Sequence, residues 1–352
     1  MVLSNRSLIL LSEMVNNQRG VFFASLLERE ERKTKEGKPY FRVLFSGANR
    51  QVGAVLWGDS PLFAECRDTW KIGALYKIDA AYSVTKYGPQ LHIFRIREAR
   101  EKDFEEGGVL RFAFPAPTVK PDVLYDKIVS LAKEKITKGA PLQRLVLRIY
   151  KEYREPLLST PSSRGNHHAY PGGLLEHTLS VTQIAVRLAE HFLQAYPQTA
   201  PALSLDLVAA GAMLHEIGKI EEMDPASRIP IHTVAGDLVG YPVLGRDVVR
   251  RHASDAEVSP DELLRLEHIL LTHPRFNEWG AVKPPASFEA LLVHQADYAD
   301  SVFAAAARIL DADAGTAPFT ASNGPFGVPW FNPSGRAPEP PRSESTCPRR
   351  DN

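Results

Sequence analysis

Between about Gly20 and Arg97 the apolar residues come in short runs rich in β-branched and aromatic side chains: Val21 to Glu28, Tyr40 to Ser46, Val52 to Trp57, Leu75 to Ser83 and Leu91 to Ile96. Turn-forming residues separate them, at Lys35-Glu36-Gly37-Lys38-Pro39, Gly47-Ala48-Asn49, Gly58-Asp59-Ser60 and Tyr87-Gly88-Pro89. Five strands in roughly eighty residues predict a small closed barrel, and the OB-fold is the commonest module of that kind. Beyond Pro121 the period changes to that of helices. Val123, Ile128, Leu131 and Ala132 recur at helical spacing, as do Leu142, Leu145, Leu147 and Ile149. Further helices are predicted at about Leu174 to Tyr196, Leu203 to His215, Gly240 to Arg251, Pro260 to His273 and Ser287 to Leu310. The Pro260 helix has a start signal of its own: Ser259 as N-cap, Pro260 at the first helical position and Glu262 three residues after the cap.

The predicted organisation is therefore a β-barrel over 18–100, a linker over 101–120, an all-α domain over 121–312 and a tail over 313–352. The linker is marked by Glu105-Glu106-Gly107-Gly108 and Pro115-Ala116-Pro117. Gly, Pro, Ser and Arg dominate the tail, which has too little apolar surface to offset the entropy of ordering. A mostly disordered tail is expected, with Phe326, Trp330 and Phe331 able to dock part of it back on the body.

Composition narrows the class without choosing a function. The chain of 352 residues is 44% hydrophobic and 24% charged, as in ordinary globular proteins, and is long enough for two domains with a core each. Lys plus Arg equals Asp plus Glu at 42 each, so attraction to nucleic acid must come from a local patch. Cys66 and Cys347 are too few and too far apart for a disulfide framework or a thiolate zinc site, and a reducing cytoplasm fits best. Met1 to Gln18 has only the short apolar run Leu8 to Leu11, unlike a secretory peptide. No run is long enough to cross a bilayer, so no membrane partner is expected.

The helical half carries the candidate chemistry. Leu174, His177, Val181, Ile184 and Leu188 form one stripe, which buries His177 and makes it structural or ligating. His215-Glu216 ends a second helix, where the backbone can turn and let adjacent side chains share one centre; Gly218 reads as the helix terminator. Lys219 projects near the same place, suited to a substrate phosphate. Asp297 lies in a helix so apolar that a buried acid there needs a partner, and a metal would be one. Asp300, on the same helix, reads as solvated. His268 and His273 are five residues apart, about 140° round the axis, so both are not expected on one ion; His273, at a helix end, is the better candidate. His167-His168 sit in the loop entering the His177 helix, where they could contact substrate. Each of these four histidines also reads as plain polar surface.

The run His167-His168-Ala169-Tyr170-Pro171-Gly172-Gly173-Leu174-Leu175-Glu176-His177-Thr178-Leu179 resembles the HD-domain superfamily of metal-dependent phosphohydrolases, in particular the bacterial YhaM-type 3′-to-5′ exoribonucleases. Leu214 to Lys219 and His294 to Asp297 follow in that family's order. In the barrel, Thr34-Lys35-Glu36-Gly37-Lys38-Pro39-Tyr40 and Ala54-Val55-Leu56-Trp57 are similar to its hairpin and its apolar strand ending in Trp. The resemblance spans roughly residues 18 to 310. It implies an N-terminal OB-fold followed by a helical HD domain, and a divalent ion held by His177, His215, Glu216 and Asp297, with the acid after His215 able to bridge to a second ion. Glu216 stands where the family has Asp, Tyr241 where it has a His ligand, and Pro274 where a second His often follows the one matched by His273. A single strongly held ion, a remodelled pair or an inactive scaffold would each fit these departures.

The expected activity is metal-dependent cleavage of single-stranded nucleic acid from a 3′ end, RNA favoured over DNA, with Mn²⁺ the favoured ion and Mg²⁺, Co²⁺ or Fe²⁺ as alternatives. Lys35, Lys38, Tyr40, Arg42 and Trp57 are the expected strand contacts, although Trp57 could equally be buried; Lys219, His168 and Arg164 are the expected phosphate contacts. Two other readings stay open: a nucleic-acid-binding or assembly protein that has lost catalysis, and a small-nucleotide phosphohydrolase whose barrel serves to form a homo-oligomer.

Overall fold

The computed structural model describes residues 8–47, 50–85, 88–100, 102–103, 119–163, 167–224, 230–274, 276, 278, 280–312, 317–323 and 326–333. Arg164, Cys347, most of the predicted linker and the tail beyond 333 lie outside the described residues.

The barrel consists of β1 (Gln18–Lys33), β2 (Pro39–Gly47), β3 (Arg50–Trp57), β4 (Leu75–Thr85) and β5 (Gly88–Glu98), closed in the order β1-β2-β3-β5-β4. This is the five-stranded OB-fold that the strand pattern predicts. β1 is long enough to serve two partners: Gln18 to Ser25 pair with β4, and Ser25 to Lys33 pair with β2, with a bulge between Leu26 and Glu28. Alternation sorts the faces. Phe41, Val43 and Phe45 point into the core, whereas Arg42 is exposed and Tyr40 half-buried. Between β3 and β4 lies a helix absent from the sequence reading, α1 (Pro61–Thr69), which buries Cys66. Ser60 caps it by accepting the Leu62 amide, and Pro61 opens it. Ser259-Pro260 carries the same Ser-Pro start signal.

Ten helices follow among the described residues: α2 (Pro121–Lys135), α3 (Pro141–Glu152), α4 (Arg154–Ser159), α5 (Gly173–Ala195), α6 (Leu205–Leu214), α7 (Lys219–Glu222), α8 (Val234–Val239), α9 (Tyr241–Ala253), α10 (Pro260–Thr272) and α11 (Phe288–Ala312). α6 is apolar all round, from Leu207 to Leu214, because α2, α3, α5, α10 and α11 all pack against it. α10 begins with the expected capping box. No helix among the described residues is long and apolar enough to cross a membrane.

The tail departs from the expected disorder over part of its length. Strands β6 (Phe319–Asn323) and β7 (Pro329–Phe331) pair antiparallel, and β6 packs against β5 and α11. Phe326 and Trp330 stack with centroids 6.4 Å apart, and Phe319 meets Phe331 edge-on. These four aromatic rings supply the apolar contact that the low overall hydrophobicity of the tail had seemed to deny it.

Candidate metal centre and nucleic-acid face

Three separated stretches converge at the first turn of α5, the end of α6 and the middle of α11. The Nε2 atoms of His177 and His215, both fully buried, face each other at 3.2 Å. Asp297 Oδ1 lies 3.3 Å from His177 Nε2, and Glu216 Oε2 lies 3.6 Å from it. His177, His215 and Glu216 therefore come within one ion's reach of one another, and Asp297 joins them through His177.

The ring tautomers follow from the outer contacts. His177 Nδ1 donates to Asp300 Oδ2 at 2.7 Å, and His215 Nδ1 donates to the Ala212 carbonyl at 2.7 Å. Each Nδ1 is thus committed as a donor, leaving Nε2 as the atom that can ligate. Asp300 was expected in solvent; it is buried, because α11 presents it inward, one turn beyond Asp297, toward His177 and His168. One oxygen of Asp300 serves both imidazoles, with His168 Nε2 at 3.0 Å.

The donor set fits a cation. Burial alone would depress the His177 pKa, but the charge on Glu216 and hydrogen bonds to Asp297 and Asp300 outweigh it and lift the pKa to about 10. Lys219, His177 and His215 in turn hold the Glu216 carboxyl down at about 2, despite its burial. Asp297 is likewise held well below the ordinary carboxylate range, burial being outweighed by His177. Two facing ring nitrogens and two carboxylates held in the ionised form make a donor set of the kind a divalent cation takes.

The remaining predicted residues divide. His273 is buried beside His215, ring centroids 5.0 Å apart, and burial brings its pKa down to about 3. His268 is a correction: it faces away on α10, as the 140° offset requires, and its Nε2 accepts the Ala286 amide at 2.9 Å. Lys219 is not left free for a phosphate. Its ammonium lies 3.0 Å from Glu216 Oε1, donates to the Ser162 carbonyl and sits 4.4 Å from the centre of the Tyr241 ring. His168 reaches the cluster through Asp300, as already described. His167, expected with His168 as a possible substrate contact, lies with its ring 5.1 Å from that of His177 and its Nε2 3.3 Å from Ser301 Oγ. Ser301 also donates to Asp297 Oδ1 at 3.2 Å, and Ser162 donates to Glu216 Oε2 at 2.9 Å. Ser162 carries no sequence signal, since its contact is 54 residues away, whereas Ser301 lies one helical turn from Asp297 at i+4 and is legible on the same face of α11.

Two glycines shape the site. A Cβ on Gly173 would lie 2.0 Å from the His168 carbonyl oxygen, so the loop can fold onto the start of α5 only with glycine there. Gly218 follows the end of α6, as the sequence predicts. Its φ of −64° is ordinary, and the requirement is space: a Cβ there would lie 2.0 Å from the Tyr241 carbonyl oxygen.

On the barrel, Tyr40 pairs with Trp57 across β2 and β3, with ring centroids 5.2 Å apart, and Trp57 is 53% exposed. Lys35, Lys38 and Trp57 line one open cavity with Thr34, Glu36, Pro39, Gly58 and Asp59. Arg42 shares the outer face of β2 with Tyr40, two residues along the same strand.

The HD domain family model matches residues 174–301, which span His177, His215-Glu216 and Asp297. The 3′-5′ exoribonuclease YhaM of Halalkalibacterium halodurans is 30% identical over 268 residues, covering 75% of this chain and 78% of that protein. The chain belongs to the YhaM-like family of HD-domain proteins. Among solved structures, the second OB-fold domain of replication protein A from Methanococcus maripaludis is 15% identical over 27% of this chain and 97% of its own, with a TM-score of 0.22. Schizosaccharomyces pombe Pot1pC bound to ssDNA is 13% identical over 29% of this chain and 94% of its own, also with a TM-score of 0.22. The HD domain is metal-dependent as a class, and the buried His177, His215 and Glu216 donors of this YhaM-like chain lie within one ion's reach.

Proposed function

We propose that the protein is a metal-dependent phosphodiesterase that shortens single-stranded RNA from its 3′ end, with Mn²⁺ as the working ion. The observation that carries this reading is the buried meeting of His177, His215 and Glu216, with Asp297 beside His177, in a chain similar to an exoribonuclease. When bound, a divalent ion supplies Lewis acidity toward a phosphodiester and makes water more acidic. The chain's own residues do the rest. Asp300 and the Ala212 carbonyl hold the two imidazoles in the ligating tautomer. Lys219 and Ser162 orient Glu216, and Ser301 orients Asp297. Tyr40 and Trp57 offer ring faces for bases, and Lys35, Lys38 and Arg42 offer charge to the backbone, a sequence-tolerant way to hold a single strand. Arg164, outside the described residues, is kept as a candidate phosphate contact.

The test is a 5′-labelled RNA oligomer incubated with the full chain and Mn²⁺, with EDTA and Asp297→Ala as controls. Stepwise shortening that both controls abolish supports the reading; equal cleavage by wild type and Asp297→Ala removes it. A second reading, a nucleic-acid-binding scaffold without catalysis, is favoured by Tyr241, whose hydroxyl lies 3.3 Å from His273 Nε2. Binding of RNA without any uptake of Mn²⁺ would select that reading.

A further inference from the structure

We infer that the centre takes one divalent cation per chain, because Lys219 and Tyr241 together fill the place a second would need. The inference rests on the metal-dependent reading and concerns only how many ions that centre accepts. Glu216 could link two cations only by offering one carboxylate oxygen to each. Its Oε2 faces His177 and accepts from Ser162. Its Oε1 is already taken by the Lys219 ammonium at 3.0 Å.

That ammonium is part of the build of the site. Lys219 is only 7% exposed, its ammonium also donates to the Ser162 carbonyl, and the Tyr241 ring covers it at 4.4 Å. A divalent ion approaching Oε1 would meet a fixed positive charge in a buried place, where like charges repel strongly. The imidazole on that side is closed as well. His273 Nδ1 donates to the Leu270 carbonyl at 2.9 Å, which leaves Nε2 as the lone-pair atom, and the Tyr241 hydroxyl sits against it at 3.3 Å. The backbone of Tyr241 is held here by its close approach to Gly218, one residue from Lys219. One tyrosine therefore caps the ammonium with its ring and the histidine with its hydroxyl.

The experiment is a Mn²⁺ titration of metal-stripped full chain, counting bound ions from the loss of the free-ion electron paramagnetic resonance signal. Wild type is compared with the Lys219→Met/Tyr241→His double variant, and circular dichroism checks that both are folded. One ion in wild type and two in the folded double variant are expected. Two ions in wild type, or one in the folded double variant, overturn the inference while leaving the metal-dependent reading in place. No bound Mn²⁺ in wild type overturns both. Should the double variant fail to fold, the wild-type count alone decides.

Discussion

His177 and Asp300 are joined by a 2.7 Å hydrogen bond from Nδ1 to Oδ2, in a position where both side chains are buried. That bond fixes which nitrogen of His177 faces His215, so a residue outside the proposed ligand set decides which nitrogen the set can use. Asp300→Asn keeps an acceptor for Nδ1 but removes the charge. It is expected to weaken Mn²⁺ binding by about 10- to 100-fold, the usual cost of losing an outer contact of a metal-bound histidine. Isothermal titration calorimetry would measure it, and unchanged affinity would show that Asp300 is not needed.

Trp57 is half-exposed and paired with Tyr40, so removing it should harm binding more than folding. Trp57→Ala is expected to cost about 1–3 kcal/mol of single-stranded RNA affinity, the range for one stacked base. The melting temperature should stay near that of wild type. Fluorescence anisotropy with a labelled oligonucleotide reads the first and differential scanning calorimetry the second; equal affinity in the two proteins would place the strand elsewhere.

Gly173→Ala would force a methyl group to within 2.0 Å of the His168 carbonyl oxygen, and backbone on both sides gives little room to yield. The expected loss of stability is about 1–3 kcal/mol, as for other overpacked sites. Because the displaced loop carries His168, the contact of that residue with Asp300 should go too. A urea melt superimposable on wild type would contradict the steric argument.

The end of the barrel is clasped by Asp103, which accepts two hydrogen bonds from Arg97 on β5 and lies 3.7 Å from Lys77 on β4. The Arg97 bonds hold its carboxyl at about 2, below the ordinary value of 3.8, in spite of partial burial. A carboxyl depressed by folding stabilises above its unfolded pKa, and that stability is lost as pH falls from about 4 toward 2. After allowance for solvent screening the effect is on the order of 1 kcal/mol. Urea midpoints at pH 6 and pH 3 should therefore differ less for Asp103→Asn than for wild type; an identical difference would sink the assignment.

The pattern of single elements is enough to name the barrel strands and the helical half, because periodicity and caps are local properties that the chain states outright; the grouping of His177, His215, Glu216 and Asp297 is legible only through the resemblance to the HD-domain family. α1 has a local signal too, in Ser60-Pro61, although the strand patterns on either side mask it. What only the tertiary structure decided is which partner each buried polar group finds. Asp300 became the anchor of two histidines rather than a solvated acid, Lys219 turned onto Glu216 and Tyr241 rather than outward, and His268 left the site for the Ala286 amide. Each outcome depends on how α5, α9, α10 and α11 pack around α6, and a buried group must be satisfied by whatever that packing brings within reach.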